Sequence, residues 1–230
     1  MTDLTHRSLA EEQMDAPDLP AATYDAVLAD LARVNRWTFA ARPTIGFLDR
    51  LAKRGDRLRI LDVGFGQGDM LRRIADWANG KRVAVELVGI DLNPRSAPAA
   101  RTATSADLNI DYRTGDYADL VHEPWDVILS SLVAHHMSHA QLIAFLRFME
   151  VHAKRGWLVN DLHRHRFAHW GFPLLARTIG AHRIVREDGT LSIARAYRPH
   201  EWPPILAEAG VKDARVERRF PFRLCVERCR

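Results

Sequence analysis

Apolar residues first recur at helical spacing. Tyr24, Val27, Leu28, Leu31 and Val34 fall on one stripe and predict a helix over residues 21–36, after Pro20. A second helix is expected over residues 43–53, before the turn Arg54-Gly55-Asp56. From residue 58 the pattern changes to short apolar runs rich in branched residues, at 58–64, 85–91, 108–116, 125–132 and 156–162, separated by helix-length stretches. Runs without polar alternation suit strands covered on both faces, so the alternation predicts a mostly parallel sheet with helices on each side. The last quarter departs from this rhythm. It predicts helices over 165–180 and 199–209, the second ended by Gly210, and then two strands at 211–220 and 221–229 joined tightly at Pro221.

The organisation read from this pattern is a flexible lead-in over residues 1–20 and one domain over 21–230. Within that domain, 21–54 form amino-terminal helices and 165–198 a lid-like insertion. A chain of 230 residues, 47% hydrophobic and 27% charged, can bury a substantial core. No apolar run approaches the ~20 residues of a membrane span, and the polar first twenty residues lack the apolar segment of a secretory signal. A cytoplasmic protein is expected. Cys225 and Cys229, the only two cysteines, would lie about 13 Å apart on a strand, too far for a disulfide and too few for a zinc framework. The net charge of +4 is concentrated in arginines of the final segment, which read as a solvated hairpin rather than a nucleic-acid surface.

The most informative chemistry lies in Asp62-Val63-Gly64-Phe65-Gly66-Gln67-Gly68-Asp69, where a strand turns through alternate glycines into a helix near Met70. Glycine admits unusual backbone angles and lets a ligand approach the main chain. Asp91 ends the next strand, 23 residues after Gly68, where an acid can accept hydrogen bonds from both hydroxyls of a ribose. That pair serves NAD and S-adenosylmethionine alike. The dinucleotide fingerprint, however, requires glycine where this chain has Asp69, and Asp116-Tyr117 after the third strand supply an acid and an aromatic able to meet an adenine. Either Asp91 or Asp116 alone would serve equally as a helix cap. Together the spacings select the ligand role.

With the terminal hairpin, this set resembles the class I S-adenosylmethionine-dependent methyltransferases across roughly residues 55–230. The resemblance implies a Rossmann-like, doubly wound α/β fold with a mostly parallel seven-stranded sheet, a carboxyl-terminal antiparallel hairpin and amino-terminal helices. It implies that Asp62 and the backbone around Gly64, Gly66 and Gly68 hold the methionine part of the cofactor. Asp91 would bind the ribose and Leu92 lie against the adenine. Asp116 would meet the adenine amino group with Tyr117 beside it, and Ser131 and Leu132 would line the cofactor near its sulfonium. The cofactor implied is S-adenosyl-L-methionine and the product S-adenosyl-L-homocysteine.

In open α/β sheets ligands bind beyond the carboxyl ends of the strands. Histidines gather after the fourth and fifth strands, at His135, His136 and His139 and at His163 and His165. Methyl transfer is an in-line displacement needing orientation and, for a phenol of pKa near ~10, a base such as histidine at ~6.5. His136 and His163 are the first candidates, with His135 and Asp161 behind them; for each histidine, a merely structural role weighs evenly. The histidine spacings could also serve a zinc or iron site, but few carboxylates neighbour them in sequence, and no metal is expected. The segment around Asn160-Asp161-Leu162-His163, with the lipophilic helix after it, resembles bacterial methyltransferases of quinone and polyketide-phenol pathways. That implies secondary metabolism, a small-molecule acceptor and a pocket walled by Trp37, Trp170, Phe172 and Tyr197. Nucleic-acid methylation is disfavoured, because the loop after the fourth strand reads Ser130-Ser131-Leu132-Val133 in place of an (Asp/Asn)-Pro-Pro-(Tyr/Phe) motif. The expected activity is O-methylation of a small aromatic or polyketide-derived hydroxyl. A C-methyltransferase acting on a quinone-like ring and an inactive cofactor-binding partner protein stand as alternatives.

Overall fold

The computed structural model describes residues 3–16 and 18–230; Met1, Thr2 and Pro17 of the expected lead-in lie outside the described residues. Among the described residues seven strands form one sheet: β1 (Arg57–Val63), β2 (Ala84–Asp91), β3 (Ile110–Thr114), β4 (Trp125–Ser131), β5 (Ala153–Leu162), β6 (Arg215–Arg219) and β7 (Arg223–Cys229). Their order is β3-β2-β1-β4-β5-β7-β6. The first five pair in parallel, and β7 runs antiparallel to both β5 and β6. The reversal of strand order between β1 and β4 opens a crevice at the carboxyl ends of the strands, where such sheets bind ligands.

Among the described residues there are eight α-helices: α1 (Ala21–Trp37), α2 (Arg42–Leu51), α3 (Asp69–Lys81), α4 (Ser96–Ala103), α5 (His139–His152), α6 (Arg166–Thr178), α7 (Arg183–Arg195) and α8 (Trp202–Ala209). Period-two alternation divides the strands between two cores. Leu58 and Ile60 of β1 face α2, α3 and α4, whereas Leu61 and Val63 face α5 and α8. A capping box starts α5, with Ser138 and Gln141 each satisfying the other's backbone N–H. Among the described residues no helix is long and apolar enough to cross a membrane.

Above the sheet, Val27 and Val34 of α1 pack with Ala176 of α6 and Ile184 and Val185 of α7 in a third apolar cluster. The helix α7 has no counterpart among those read from the sequence. Its buried side includes Asp188, Ser192 and Arg195, which interrupt the apolar period. The acidic side chain of Asp188 accepts the backbone N–H groups of Gln13 (3.0 Å) and Met14 (2.9 Å), which docks that part of the segment on α7. Leu4 and Glu12 of that segment are buried.

Candidate active site

A cavity of about 640 Å³ runs from the loop after β1, beneath α1 and α6, to the loop after β4. That volume suits a cofactor-sized ligand with a small partner.

At one end the chain bends through Gly64, Gly66 and Gly68, at φ of 78°, 55° and 75°. Two of these glycines are required by space as well as by backbone angle. A β-carbon on Gly64 would sit 2.4 Å from Val133 Cγ2, and one on Gly68 2.5 Å from Tyr112 Oη. Asp91 holds the loop in place, since Oδ2 accepts the Gly66 N–H at 2.9 Å and Oδ1 accepts that of Asn93 at 2.9 Å. On the cavity wall Asp62 is buried, and its Oδ1 has no hydrogen-bond partner. Burial, with Asp69 and Asp91 nearby, pushes the Asp62 carboxyl up to about 8. A buried acid without a partner, beside a glycine loop open to the cavity, fits the ammonium of an amino-acid-bearing cofactor.

The other end is assembled from distant residues. The His135 ring Nδ1 lies 2.7 Å from Asp161 Oδ1, and the His135 backbone N–H donates to Oδ2 at 2.8 Å. Burial works to raise Asp161, but His135 and the N–H donors of His135 and Leu162 hold it below the usual carboxylate range. His136 is 30% exposed and stands on the cavity wall, its ring 4.3 Å from that of His135. Its Nδ1 is 3.3 Å from Asp15 Oδ2. Glu12 Oε1 lies 3.7 Å from His135 Nε2 and 3.8 Å from His136 Nε2, and also accepts the Ser192 hydroxyl at 2.8 Å. Burial pushes the Glu12 carboxyl upward. The ligand atoms of Glu12, His135 and His136 fall within 4.8 Å of one another, a spacing that could hold a metal ion. Arg195 fixes this loop by donating to the carbonyls of His135 (3.2 Å), His136 (3.4 Å) and Ala10 (2.7 Å), and Arg7 donates to the His135 carbonyl at 3.1 Å.

Among the residues read from the sequence, Asp62, Gly64, Gly66, Asp91, Leu92, Ser131, Leu132, His135, His136 and Phe172 are brought to one cavity. Leu132 takes a left-handed conformation at φ 63° where the chain leaves β4. Gly68 is buried and does not line the cavity; its place is under Tyr112. Asp116 caps its own turn, accepting the Ala118 N–H at 2.9 Å, while the Tyr117 ring packs on Phe145 and Phe148, so neither reaches the cavity. Asp161 is buried behind His135. His163 sits apart from the cavity, donating its backbone N–H to the Phe222 carbonyl, with its ring tilted against that of His165; burial brings its ring down to about 4. Trp37 and Trp170 are solvent-exposed, and Tyr197 is buried against Trp202. Glu12, Asp15, Asp188, Arg195 and Arg223 are the polar residues that sequence reasoning missed. Their partners lie far along the chain, and no local motif announces them.

A family model described as a methyltransferase domain matches residues 60–156. No curated protein matches the chain. By fold, the chain is similar to a SAM-dependent methyltransferase from Aquifex aeolicus, at 18% identity and TM-score 0.60, over 91% of this chain and 98% of that one. It is similar to human N-acetylserotonin methyltransferase in complex with S-adenosylmethionine, at 14% identity and TM-score 0.62, over 92% of this chain and 56% of the human one. A third likeness is to magnesium protoporphyrin IX methyltransferase of Synechocystis PCC 6803 with bound S-adenosylhomocysteine, at 15% identity and TM-score 0.54, over 95% and 91% of the two chains. Residues 60–156 thus match the methyltransferase-domain model, and the chain shares its fold with solved methyltransferases, two of them holding S-adenosylmethionine or S-adenosylhomocysteine.

Proposed function

We propose that the protein transfers the methyl group of S-adenosylmethionine to a hydroxyl of a small aromatic or polyketide-derived acceptor, leaving S-adenosylhomocysteine. The observation that carries this reading is the single cavity shared by the glycine loop and His136. Asp62 would meet the cofactor's ammonium, and Asp91, one strand over, its ribose. When bound, the cofactor supplies an electrophilic methyl carbon on its sulfonium. His136 would accept the acceptor's hydroxyl proton, with Asp15 orienting its ring from 3.3 Å at Nδ1. Asp161 and His135 would position His136 from behind rather than touch the acceptor. Leu28, Leu31, Phe172 and Leu175 give the cavity an apolar wall suited to an aromatic ring. The fold neighbours named for N-acetylserotonin and magnesium protoporphyrin IX support a small-molecule acceptor.

The expected test result has two parts. Calorimetry should show binding of S-adenosylmethionine and S-adenosylhomocysteine and none of NAD. His136→Ala should lower kcat by roughly 10²–10⁴-fold while leaving cofactor affinity within about twofold. Tight NAD binding with no response to the other two would overturn the cofactor assignment, and unchanged turnover in His136→Ala would remove the base. The Glu12, His135 and His136 trio favours a second reading, in which a divalent cation ionises the acceptor hydroxyl. Turnover that survives exhaustive chelation excludes it; turnover abolished by chelation and restored by metal selects it.

A further inference from the structure

Arg223, the first residue of β7, is 2% exposed and stands on the cavity wall. Neither its Nε nor its Nη1 has a hydrogen-bond partner. Its Nη2 has one long contact, 3.3 Å to Thr38 Oγ1 at the end of α1. Asp161 and Asp69 are close enough to feel its charge, yet neither bonds it. Asp161 is already committed to His135 and Leu162. A guanidinium stays protonated at any ordinary pH, and burying it without a partner costs several kcal/mol. Such an arrangement is retained where something that arrives later completes it.

We propose that Arg223 is the carboxylate-recognition site of this cavity. A planar monoanion matches the guanidinium's donors. A phosphate fits worse, because Asp62, Asp69, Asp91, Glu12 and Asp15 line the same cavity and would repel a dianion. Two carboxylates could arrive. The first is the α-carboxylate of the cofactor's methionine part, since Asp69 lies within charge range of both Asp62 and Arg223. The second belongs to the acceptor, since β7 is three strands from β1 in the sheet order, about 14 Å at ~4.8 Å per strand, on the half that carries the histidine loop. The cofactor arm rests on the methyl-transfer reading above; the acceptor arm does not.

The test compares wild type with Arg223→Met, and with Arg223→Gln should the first variant fold poorly. Probes are S-adenosylhomocysteine, 5′-methylthioadenosine (the same nucleoside without the amino acid) and salicylate, each titrated by calorimetry. Loss of a charge-assisted pair should weaken the relevant probe by roughly 10- to 100-fold. Weakening of S-adenosylhomocysteine with 5′-methylthioadenosine unchanged supports the proposal and assigns the cofactor's carboxylate. Unchanged S-adenosylhomocysteine with salicylate binding lost supports it and assigns the acceptor's. The ligand-free Arg223→Met protein should melt at the same or a higher temperature than wild type, because an unpaired buried charge has been removed. Equal weakening of both nucleosides, or no weakening of any probe, overturns the proposal. A wild type that binds neither nucleoside defeats the cofactor reading instead, and the salicylate arm then decides Arg223 alone.

Discussion

The two ends of the cavity are built by opposite strategies. At the glycine loop, a contiguous stretch presents backbone, and one acid from the neighbouring strand, Asp91, ties it down across 25 residues. At the histidine loop, side chains do the work and their partners are remote. Glu12 meets Ser192 across 180 residues, Arg7 reaches the carbonyl of His135 across 128, and Asp161 reaches His135 across 26. On the proposed function, the difference follows from what each end would recognise. A cofactor common to a family can be held by main chain and a few acids at fixed spacing. An acceptor particular to one enzyme needs a wall of its own, here supplied by the lead-in segment, α1, α6 and α7 packed over the sheet.

Removing the acid at the centre of the remote network should give the largest effect. Asp161→Ala strands the buried His135 ring and the backbone N–H groups of His135 and Leu162. Breaking one partner of such a pair costs about 3–5 kcal/mol, read as a lower urea midpoint. Turnover should fall with it, while S-adenosylhomocysteine affinity stays within about twofold. A loss of cofactor affinity as large as the loss of turnover would mean that the two ends are one unit. Gly68→Ala attacks the other end. A left-handed alanine costs ~1–2 kcal/mol, and its β-carbon would collide with Tyr112 Oη. Cofactor affinity should drop at least about tenfold with the histidine end intact. Adding Tyr112→Ala, which removes the ring whose Oη, Cε1 and Cζ all lie within 2.8 Å of that β-carbon, should restore part of it, a non-additivity that a double-mutant cycle measures. Strict additivity would show that backbone strain, not the tyrosine, dictates glycine there.

How much of this was legible in the sequence tracks the same division. The five parallel strands, the terminal hairpin and the glycine loop follow from short apolar runs and local turn chemistry, and the sheet has the expected form. The position of Asp91 beside the glycine loop is legible because its distance from Gly68 is set by one helix and one strand. Asp116 and Tyr117 fit the same spacing argument, yet the turn's own needs account for them: the acid caps and the ring fills the core under α5. Glu12 and Asp15 could not be found, because an acidic segment without apolar period gives no sign of docking. What docks it, Asp188 accepting Gln13 and Met14, is visible only after α7 has folded. Arg223 reads in sequence as one more arginine of a basic hairpin; only the fold takes its charge out of water.

The Asp62 carboxyl offers the finest test of whether the cofactor end is complete without its ligand. Its pKa in the folded protein, about 8, lies above that of an unfolded aspartate, so the folded state holds a proton that the unfolded chain releases. This group's contribution to stability is therefore fully present below about pH 4 and is lost as pH rises toward 8, by at most ~1.4 kcal/mol per unit. Asp62→Asn cannot ionise and should flatten that decline when urea midpoints are compared between pH 5.5 and 8. Saturating S-adenosylhomocysteine should flatten it in the wild type as well, because an ammonium beside Asp62 stabilises the carboxylate and expels the proton on binding. Calorimetry at pH 7 in buffers of different ionisation enthalpy should then register close to one proton released per ligand by wild type and none by Asp62→Asn. Equal pH slopes in the two proteins would mean that Asp62 is ionised in the free protein. The acid would then be a finished structural element, and the glycine loop would be fully formed before its cofactor arrives.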